Sequence, residues 1–198
     1  MNAPDIYHFD PILKLPCGLG EIQNYIYGRM KYPNRATAGV AAISALQSIA
    51  MGTFVIDIYN GLGLNEYYMM LSPTGSGKED LRQAIEELVY RARTDGAISE
   101  IVLPKVKFNL PASPQAAHTA LSDCNGTMIY LADEFAEWLG STAKDGARQG
   151  VVAYLMEAYT RALKSINVPA SMANVYKPVD GPRIGAFTTS TWERTDNA

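Results

Sequence analysis

The chain has 198 residues, of which 47% are hydrophobic and 19% charged. This length suits a single domain with its own core, and this composition excludes an intrinsically disordered chain. Lys and Arg number 17 against 20 Asp and Glu, so the net charge of −3 excludes a strongly basic, nucleic-acid-binding chain overall. Cys17 and Cys124 stand far apart, which excludes a disulfide scaffold and a cysteine zinc site and indicates a reducing, cytoplasmic compartment.

No targeting or membrane-spanning segment is expected. Residues Met1 to Asp5 form neither a basic stretch nor an apolar run, so they do not resemble a secretory signal. The stretch Ala36 to Ile56 carries no charge over a length that would span a bilayer. It also contains polar side chains such as Thr37 and Gln47, so we interpret it as a buried helix followed by a short strand.

The first 60 residues are expected to form a short helical region packed on the rest of the chain. Residues 1–20 are rich in Pro and Gly and predict irregular structure, and Glu21–Met30 predicts a short helix. Apolar residues at near-helical spacing predict a second helix over Thr37–Met51. A short strand is predicted over Phe54–Tyr59, and the glycines of Asn60–Gly63 predict a turn.

Strands and helices alternate after this region. Tyr67–Leu71 is a continuous apolar run, which is typical of a parallel strand buried on both faces. Asp80–Arg93 has the clearest amphipathic helix pattern in the chain. Ile98–Phe108 predicts one or two strand pieces, and Ser113 predicts a cap for a helix over Pro114–Leu121.

The last third continues the same alternation. Met128–Ala132 predicts a second buried strand, Gly140–Gly150 a loop, and Val151–Ile166 a helix. Arg183–Phe187 predicts a last strand, which runs into a hydroxyl-rich stretch beginning at Thr188. This order of elements predicts an α/β fold with a mostly parallel sheet flanked by helices.

A Gly-rich loop lies between the apolar run Tyr67–Leu71 and the amphipathic helix. Such a loop can bind phosphate, because successive N–H groups and the positive end of the helix dipole meet the anion. The P-loop pattern G-x-x-x-x-G-K-[ST] is matched in part. The phosphate-binding candidates are Pro73, Thr74, Gly75, Ser76, Gly77, Lys78 and Glu79.

Two departures from the P-loop pattern leave alternatives open. Ser72 stands where the first glycine belongs, and Glu79 stands where a Ser or Thr would bind Mg²⁺. Glu79 could contact the metal directly or through water, or it could repel the phosphates. The competing structural interpretation is an ordinary strand–turn–helix corner with a surface lysine at position 78.

A pair of acids follows the second buried strand. Asp133 is the candidate for holding Mg²⁺, and Glu134 for activating water. Acids at this place also favour a following helix through its dipole, which is the structural alternative.

Thr188 and Thr189 are candidates for binding the outer phosphate, and the alternative is that they belong to a capped turn. Arg183 and Arg194 could contact the outer phosphate, but a role as ordinary surface charges is supported equally well.

Other chemistries find little support. The chain contains neither a G-x-S-x-G nucleophile motif nor a G-x-G-x-x-G dinucleotide motif. A small aromatic and basic patch could stack and neutralise single-stranded DNA, but we favour a solvated helix end beside core tyrosines. Its members are Tyr25, Tyr27, Arg29, Lys31, Tyr32 and Arg35.

Several segments together resemble a known family. They are Leu15–Ile22, Ala38–Met51, Asn65–Glu79, Pro111–Gln115, Leu131–Phe135 and Ile184–Thr189. On these residues the chain resembles the P-loop, RecA-like NTPase domain of phage- and plasmid-type primase–helicase proteins. The resemblance implies ATP and Mg²⁺ as ligands, a homo-oligomeric ring acting on single- or double-stranded DNA, and a bacterial host cytoplasm. Its functional residues carry over to Lys78, Asp133, Glu134 and one of Thr188 and Thr189.

The family resemblance also bears on the extent of the domain. We expect a helical region over residues 1–60 and a P-loop core over residues 61–198. In the family the sheet continues beyond the strand that corresponds to Arg183–Phe187, so we expect a core that is incomplete at its C-terminus. The predicted function is an ATPase module of a DNA replication helicase. The alternatives are a nucleotide-gated scaffold with little turnover and a DNA-packaging or partition motor.

Overall fold

The computed structural model of the chain describes residues 14–56, 62–96, 103–144, 146–169 and 177–191. Its fold is α/β, with a mostly parallel sheet flanked by helices, as the alternation of elements predicts. The helices are α1 (Cys17–Arg29), α2 (Arg35–Ala50), α3 (Lys78–Thr94), α4 (Pro114–Asp123), α5 (Phe135–Lys144) and α6 (Gly146–Thr160). The strands are β1 (Val55–Ile56), β2 (Leu62–Gly63), β3 (Tyr67–Leu71), β4 (Lys105–Lys107), β5 (Thr127–Ala132), β6 (Ser165–Ile166), β7 (Val179–Asp180) and β8 (Arg183–Ser190).

The main sheet has the spatial order β3-β8-β5-β4, and every neighbouring pair in it is parallel. Strand β8 therefore lies between β3 and β5, although it comes last in the chain. Tyr67 is opposite Ala186, and Ala132 is opposite Thr188. The carboxyl ends of β3, β8 and β5 consequently meet at one edge of the sheet. Two short antiparallel pairs, β1 with β2 and β6 with β7, lie outside this sheet. This architecture is compatible with a RecA-like fold.

One face of the sheet is covered by the first three helices. Ile129, Leu131 and Phe187 point to this face and join a buried cluster with residues of α1, α2 and α3. Helix α2 contributes mainly alanines to the cluster, and their small side chains let the helix approach the sheet closely. Within the described ranges, no helix has the length and apolar character needed to cross a membrane.

The other face of the sheet is covered by α4 and α6. Because successive side chains of a strand point to opposite faces, Met128 and Tyr130 join this second cluster. His118 of α4 is buried within this layer. Its Nδ1 lies 2.9 Å from the Tyr154 hydroxyl of α6, and its Nε2 lies 3.1 Å from the carbonyl oxygen of Lys177. The contact with Tyr154 joins the two helices of the second layer, and the contact with Lys177 joins α4 to the segment before β7.

Several predicted elements are confirmed. Helix α3 and the fully buried strand β5 lie where their patterns place them. Ser113 caps α4, since its hydroxyl accepts the N–H of Ala116 at 3.1 Å. The uncharged stretch after Arg35 is helix α2 followed by strand β1, as interpreted from its polar residues.

The predicted burial of Tyr67–Leu71 on both faces is wrong. These residues form a strand as expected, but β3 is at the edge of the sheet, and Tyr67 and Met69 are exposed. Helix α6 covers the strand only in part, and the Tyr67 hydroxyl donates to the carbonyl oxygen of Leu155 at 2.9 Å. A continuous apolar run indicates a strand without indicating its position in the sheet.

Three predicted helix boundaries are also wrong, and close packing at glycines explains two of them. The segment Gly140–Gly150 is not a loop, because α5 extends into it and α6 begins within it. A Cβ at Gly150 would lie 2.8 Å from Cγ of Pro114, so this glycine permits a close approach of α6 to α4. Gly20 similarly lies inside α1, against the carbonyl group of Leu15.

The third error concerns the end of α6. This helix ends at Thr160, and the following residues turn into strand β6, so the predicted helix over Val151–Ile166 is too long. The predicted turn Asn60–Gly63 is wrong at its last two residues, because Leu62 and Gly63 form β2. The predictions for residues 1–13, 57–61, 97–102 and for Arg194 lie outside the described residues.

Asn65 provides a stability test of this fold. Its amide nitrogen donates to the carbonyl oxygens of Ala158 and Pro182, both at 3.1 Å, and its amide oxygen accepts the N–H of Ile184 at 3.2 Å. We expect Asn65→Ala to lower the free energy of unfolding by about 3 kcal/mol, because it leaves buried main-chain groups unpaired. Urea denaturation followed by circular dichroism measures this change.

The matched control is Asn24→Ala, which removes an exposed amide that accepts from Arg35 at 2.9 Å. This control should change the free energy of unfolding by less than about 0.5 kcal/mol. Equal effects of the two substitutions would contradict the role assigned to Asn65.

Candidate functional site

The loop between β3 and α3 is a compact turn with hydrogen bonds of its own. The Ser76 N–H donates to the carbonyl oxygen of Pro73 at 3.3 Å, and the hydroxyls of Ser72 and Ser76 are hydrogen-bonded to each other. Gly75 and Gly77 have φ values of 77° and 81°. This left-handed conformation is accessible to glycine at little cost, so both glycines are needed for the shape of the loop.

The loop presents main-chain N–H groups at the start of α3. In the part of the chain that the structure describes, no side chain caps this helix, and no main-chain oxygen accepts from the N–H groups of Gly75, Gly77 or Lys78. The first N–H groups of a helix carry the positive end of its dipole. This terminus therefore has the donors and the charge that suit an anion.

Lys78 and Glu79 begin the helix and have different surroundings. Lys78 contributes an attractive charge to Asp133 across the site. The Glu79 carboxylate is turned along its own helix, where it pairs with Arg82 and accepts from the Gln83 amide at 3.1 Å. Glu79 is thus neutralised by a neighbour one turn away.

Asp133 follows β5 at the carboxyl edge of the sheet. Its Oδ1 accepts from the Thr189 hydroxyl at 2.5 Å and from the Glu134 N–H at 2.8 Å. Partial burial alone would raise the pKa of this carboxyl. The two hydrogen bonds and the positive charges of Arg82 and Lys78 outweigh the burial, so the pKa of Asp133 lies below its ordinary value. Asp133 is therefore held as a carboxylate in a fixed orientation.

Glu134 has an unusual backbone conformation. Its φ is 56°, in the left-handed region that a residue with a side chain adopts at a cost of roughly 1–2 kcal/mol. Its carbonyl oxygen accepts from the N–H groups of Glu137 and Trp138 at 3.0 and 3.2 Å, so it stands at the start of α5. Its side chain is exposed. Strained conformations of this kind are concentrated at functional sites.

Thr188 and Thr189 point in opposite directions from β8. The Thr189 hydroxyl reaches Asp133, whereas the Thr188 hydroxyl donates to the carbonyl oxygen of Tyr68 on β3 at 3.0 Å. The alternation of side chains along a strand separates them. The structure therefore brings Thr189, and not Thr188, together with the acid that follows β5.

Arg82 is a site residue that the sequence analysis did not single out. Besides its pairing with Glu79, its Nη1 lies 3.5 Å from the carbonyl oxygen of Leu131, and its charge acts on Asp133. Its spacing of three residues from Glu79 on a helix was the available signal. Arg183, in contrast, lies at the start of β8 and donates to the carbonyl oxygen of Gly52, away from the carboxyl edge.

Two comparisons of the sequence with known proteins were negative. No protein-family model matches the chain, and no curated protein sequence matches it. The geometry of the carboxyl edge is therefore the basis for a functional hypothesis, together with the resemblance carried by the motifs.

The pKa of Asp133 tests the contact with Thr189. We expect Thr189→Val to raise this pKa, because the substitution removes a hydrogen bond that favours the charged form while the burial remains. Titration of the Asp133 carboxyl carbon by NMR measures the change. The matched control is Thr188→Val, the same substitution on the opposite face of β8, which should leave the pKa of Asp133 unaltered.

The same contact has a consequence for stability. The pKa of Asp133 is lower in the folded state than in the unfolded state, so the ionised carboxylate stabilises the fold. Its contribution to the free energy of unfolding is fully present above the unfolded-state pKa and is lost as the pH falls through the folded-state pKa. Thr189→Val should shrink this contribution. An unchanged Asp133 titration in Thr189→Val would contradict the assigned hydrogen bond.

The backbone of Glu134 gives a second test at this site. We expect Glu134→Gly to be more stable than Glu134→Ala by about 1 kcal/mol, because glycine adopts the left-handed conformation without strain. Both substitutions remove the carboxylate, so the difference between their free energies of unfolding measures the cost of the left-handed backbone for a residue with a Cβ. Thermal and urea denaturation measure it. If the alanine variant is as stable as the glycine variant, the backbone is not strained at this position.

Proposed function

We propose that this chain is an ATP-binding and ATP-hydrolysing module of a phage- or plasmid-type DNA replication helicase. The observation that supports this proposal most directly is that the Gly-rich loop and the acid pair lie at the same edge of the sheet. The loop that ends at Lys78 and the acids Asp133 and Glu134 follow strands that are both parallel to β8. In parallel α/β sheets, ligands bind outside the carboxyl ends of the strands.

The phosphates of ATP fit the loop that precedes α3. Its N–H groups and the helix dipole offer a site for negative charge. Lys78 adds a cation for the outer phosphates. The left-handed glycines Gly75 and Gly77 let the backbone approach the phosphates without a side chain between them.

Asp133 is the residue proposed to hold Mg²⁺. Among the described residues, no group of three or more His, Cys, Asp and Glu could hold a metal ion by itself. Mg²⁺ nevertheless suits this donor set, because it commonly uses one or two protein carboxylates together with substrate phosphates. The lowered pKa keeps Asp133 ionised, and both of its hydrogen bonds use Oδ1. When bound, Mg²⁺ would neutralise charge on the phosphates.

Glu134 is proposed to orient the attacking water and accept its proton. The side chain is exposed and directly follows Asp133 in the chain, so it can face a phosphate held at the same edge. A carboxylate placed within hydrogen-bond reach of the water is the chemistry that this step needs. The strained backbone at Glu134 is consistent with selection for function over stability.

A second candidate function is a nucleotide-gated scaffold with little turnover. The observation that favours it is the pairing of Glu79 with Arg82. Glu79 replaces the hydroxyl that would bind Mg²⁺ in the P-loop pattern, and its partner Arg82 holds its carboxylate along the helix. In this alternative, ATP orders the loop and the site lacks one metal ligand needed for fast hydrolysis.

DNA binding and a ring-shaped assembly are part of the proposal only because the family resemblance implies them. The contacts of the aromatic and basic patch near α1 do not add to the case for DNA. Arg29 and Arg91 lie over the ring of Tyr25, and Arg35 lies over the ring of Tyr27. These aromatic faces are already in contact with cations of the chain itself.

The test is Mg-ATP binding followed by hydrolysis, measured by calorimetry and phosphate release. We expect Lys78→Ala to weaken binding about tenfold or more, because hydrogen bonds to charged groups contribute roughly 1.5–3 kcal/mol. Glu134→Gln should retain binding and lower turnover by about a hundredfold or more, as for loss of a general base. The control is Lys164→Ala, which removes an exposed lysine outside the loop.

The outcomes separate the two candidates. Binding that requires Lys78, with turnover that requires Glu134 and rises with single-stranded DNA, supports the helicase module. Binding that requires Lys78 without turnover supports the scaffold. Absence of ATP binding by the unsubstituted chain contradicts both.

A further inference from the structure

A cleft of about 520 Å³ lies beside the phosphate-binding loop. One wall is the segment between α1 and α2, which includes Tyr32 and Asn34, and the other wall is the loop itself at Ser76. Pro33 and Met70 also line the cleft and give it accessible apolar surface, whereas Leu81 is fully buried behind it. Its volume lies in the range of small-molecule sites, which are mostly apolar with a few polar groups.

The wall between α1 and α2 is fixed to the first turn of α3. The Lys31 N–H donates to Oδ2 of Asp80 at 2.7 Å, and the Asp80 N–H donates to the carbonyl oxygen of Gly77 at 3.1 Å. On the other side, the Asn34 side chain caps α2 by accepting the Thr37 N–H at 3.1 Å. The segment carrying Tyr32 is therefore attached at both ends to elements of the fold.

Tyr32 differs from Tyr25 and Tyr27 in its exposure, although each of the three rings has a cation of the chain near it. The Tyr32 side chain is 52% exposed, and its ring lies 3.8 Å from the position that a Cβ at Gly77 would take. Lys31 places its ammonium 5.5 Å from the ring centroid. The ring thus borders the phosphate-binding loop and still has half of its surface available.

We infer that this cleft binds the base of the nucleotide whose phosphates lie on the loop, with the ring of Tyr32 stacked on the base. This inference rests on the proposed ATP site, because that site would hold the phosphate end of the same ligand. The apolar side chains Pro33 and Met70 suit the flat face of a base, and the amide nitrogen of Asn34 supplies a polar group at the rim. Aromatic stacking tolerates different bases, so we expect purine triphosphates to bind with little discrimination among them.

Inorganic tripolyphosphate separates the two ends of the ligand, since it carries the phosphates without base or ribose. We expect Tyr32→Ala to weaken Mg-ATP binding by about tenfold, a typical effect of removing one stacking ring. The same variant should leave Mg-tripolyphosphate binding unchanged, and Tyr32→Phe should retain ATP binding, because the phenyl ring still stacks. Calorimetry with both ligands measures these effects.

Tyr90→Ala is the matched control, because Tyr90 is 61% exposed on α3, away from its N-terminal turn. It should change the binding of neither ligand. Lys78→Ala should weaken both ligands, which marks the phosphate end of the site.

Each other outcome overturns the inference in a distinguishable way. If the unsubstituted chain binds neither ligand, the proposed ATP site is wrong and the base site falls with it. If both ligands bind and Tyr32→Ala changes neither affinity, or lowers both equally, the ATP site stands and the base site is wrong. If Tyr32→Ala lowers only the affinity for a single-stranded oligonucleotide, the ring serves DNA instead of the nucleotide base.

Discussion

The parallel pairing of β8 with both β3 and β5 is the constraint on which the candidate site depends. The last strand of the chain inserts between two earlier ones, so residues far apart in sequence end at one edge. The carbonyl oxygen of Ser190 accepts the Ser72 N–H at 3.1 Å, and Thr189 contacts Asp133. The central strand thus connects the loop on one side with the acids on the other.

One arginine interacts with two of the acids near the carboxyl edge of the sheet. Arg82 pairs with the carboxylate of Glu79, and its positive charge also helps to lower the pKa of Asp133. One Arg82 nitrogen, Nε, is buried and has no hydrogen-bond partner among the described residues. A guanidinium that serves two acids in this way balances the additional negative charge that Glu79 brings in place of a hydroxyl.

Local patterns were enough to predict the elements that carry the site, but they could not predict the neighbours of those elements. The periodicity of α3 and the apolar run of β5 identify both elements, and they place Lys78 and Asp133 at element ends. Strand order is a property of the assembled sheet, so neither the edge position of β3 nor the contact between Thr189 and Asp133 is visible in the sequence. Gly20 and Gly150 lie inside helices because glycine permits close packing as well as turns, and the sequence does not distinguish the two uses.

The hydrogen bond between the hydroxyls of Ser72 and Ser76 has a consequence for how the loop meets a ligand. A glycine at position 72, as in the P-loop pattern, has no side chain to make this bond. The bond joins the two ends of the loop as the chain folds, so part of the conformational entropy of the loop is lost before the proposed binding of an anion. A loop ordered in advance loses less entropy on association, and more of its interaction energy is then expressed as affinity.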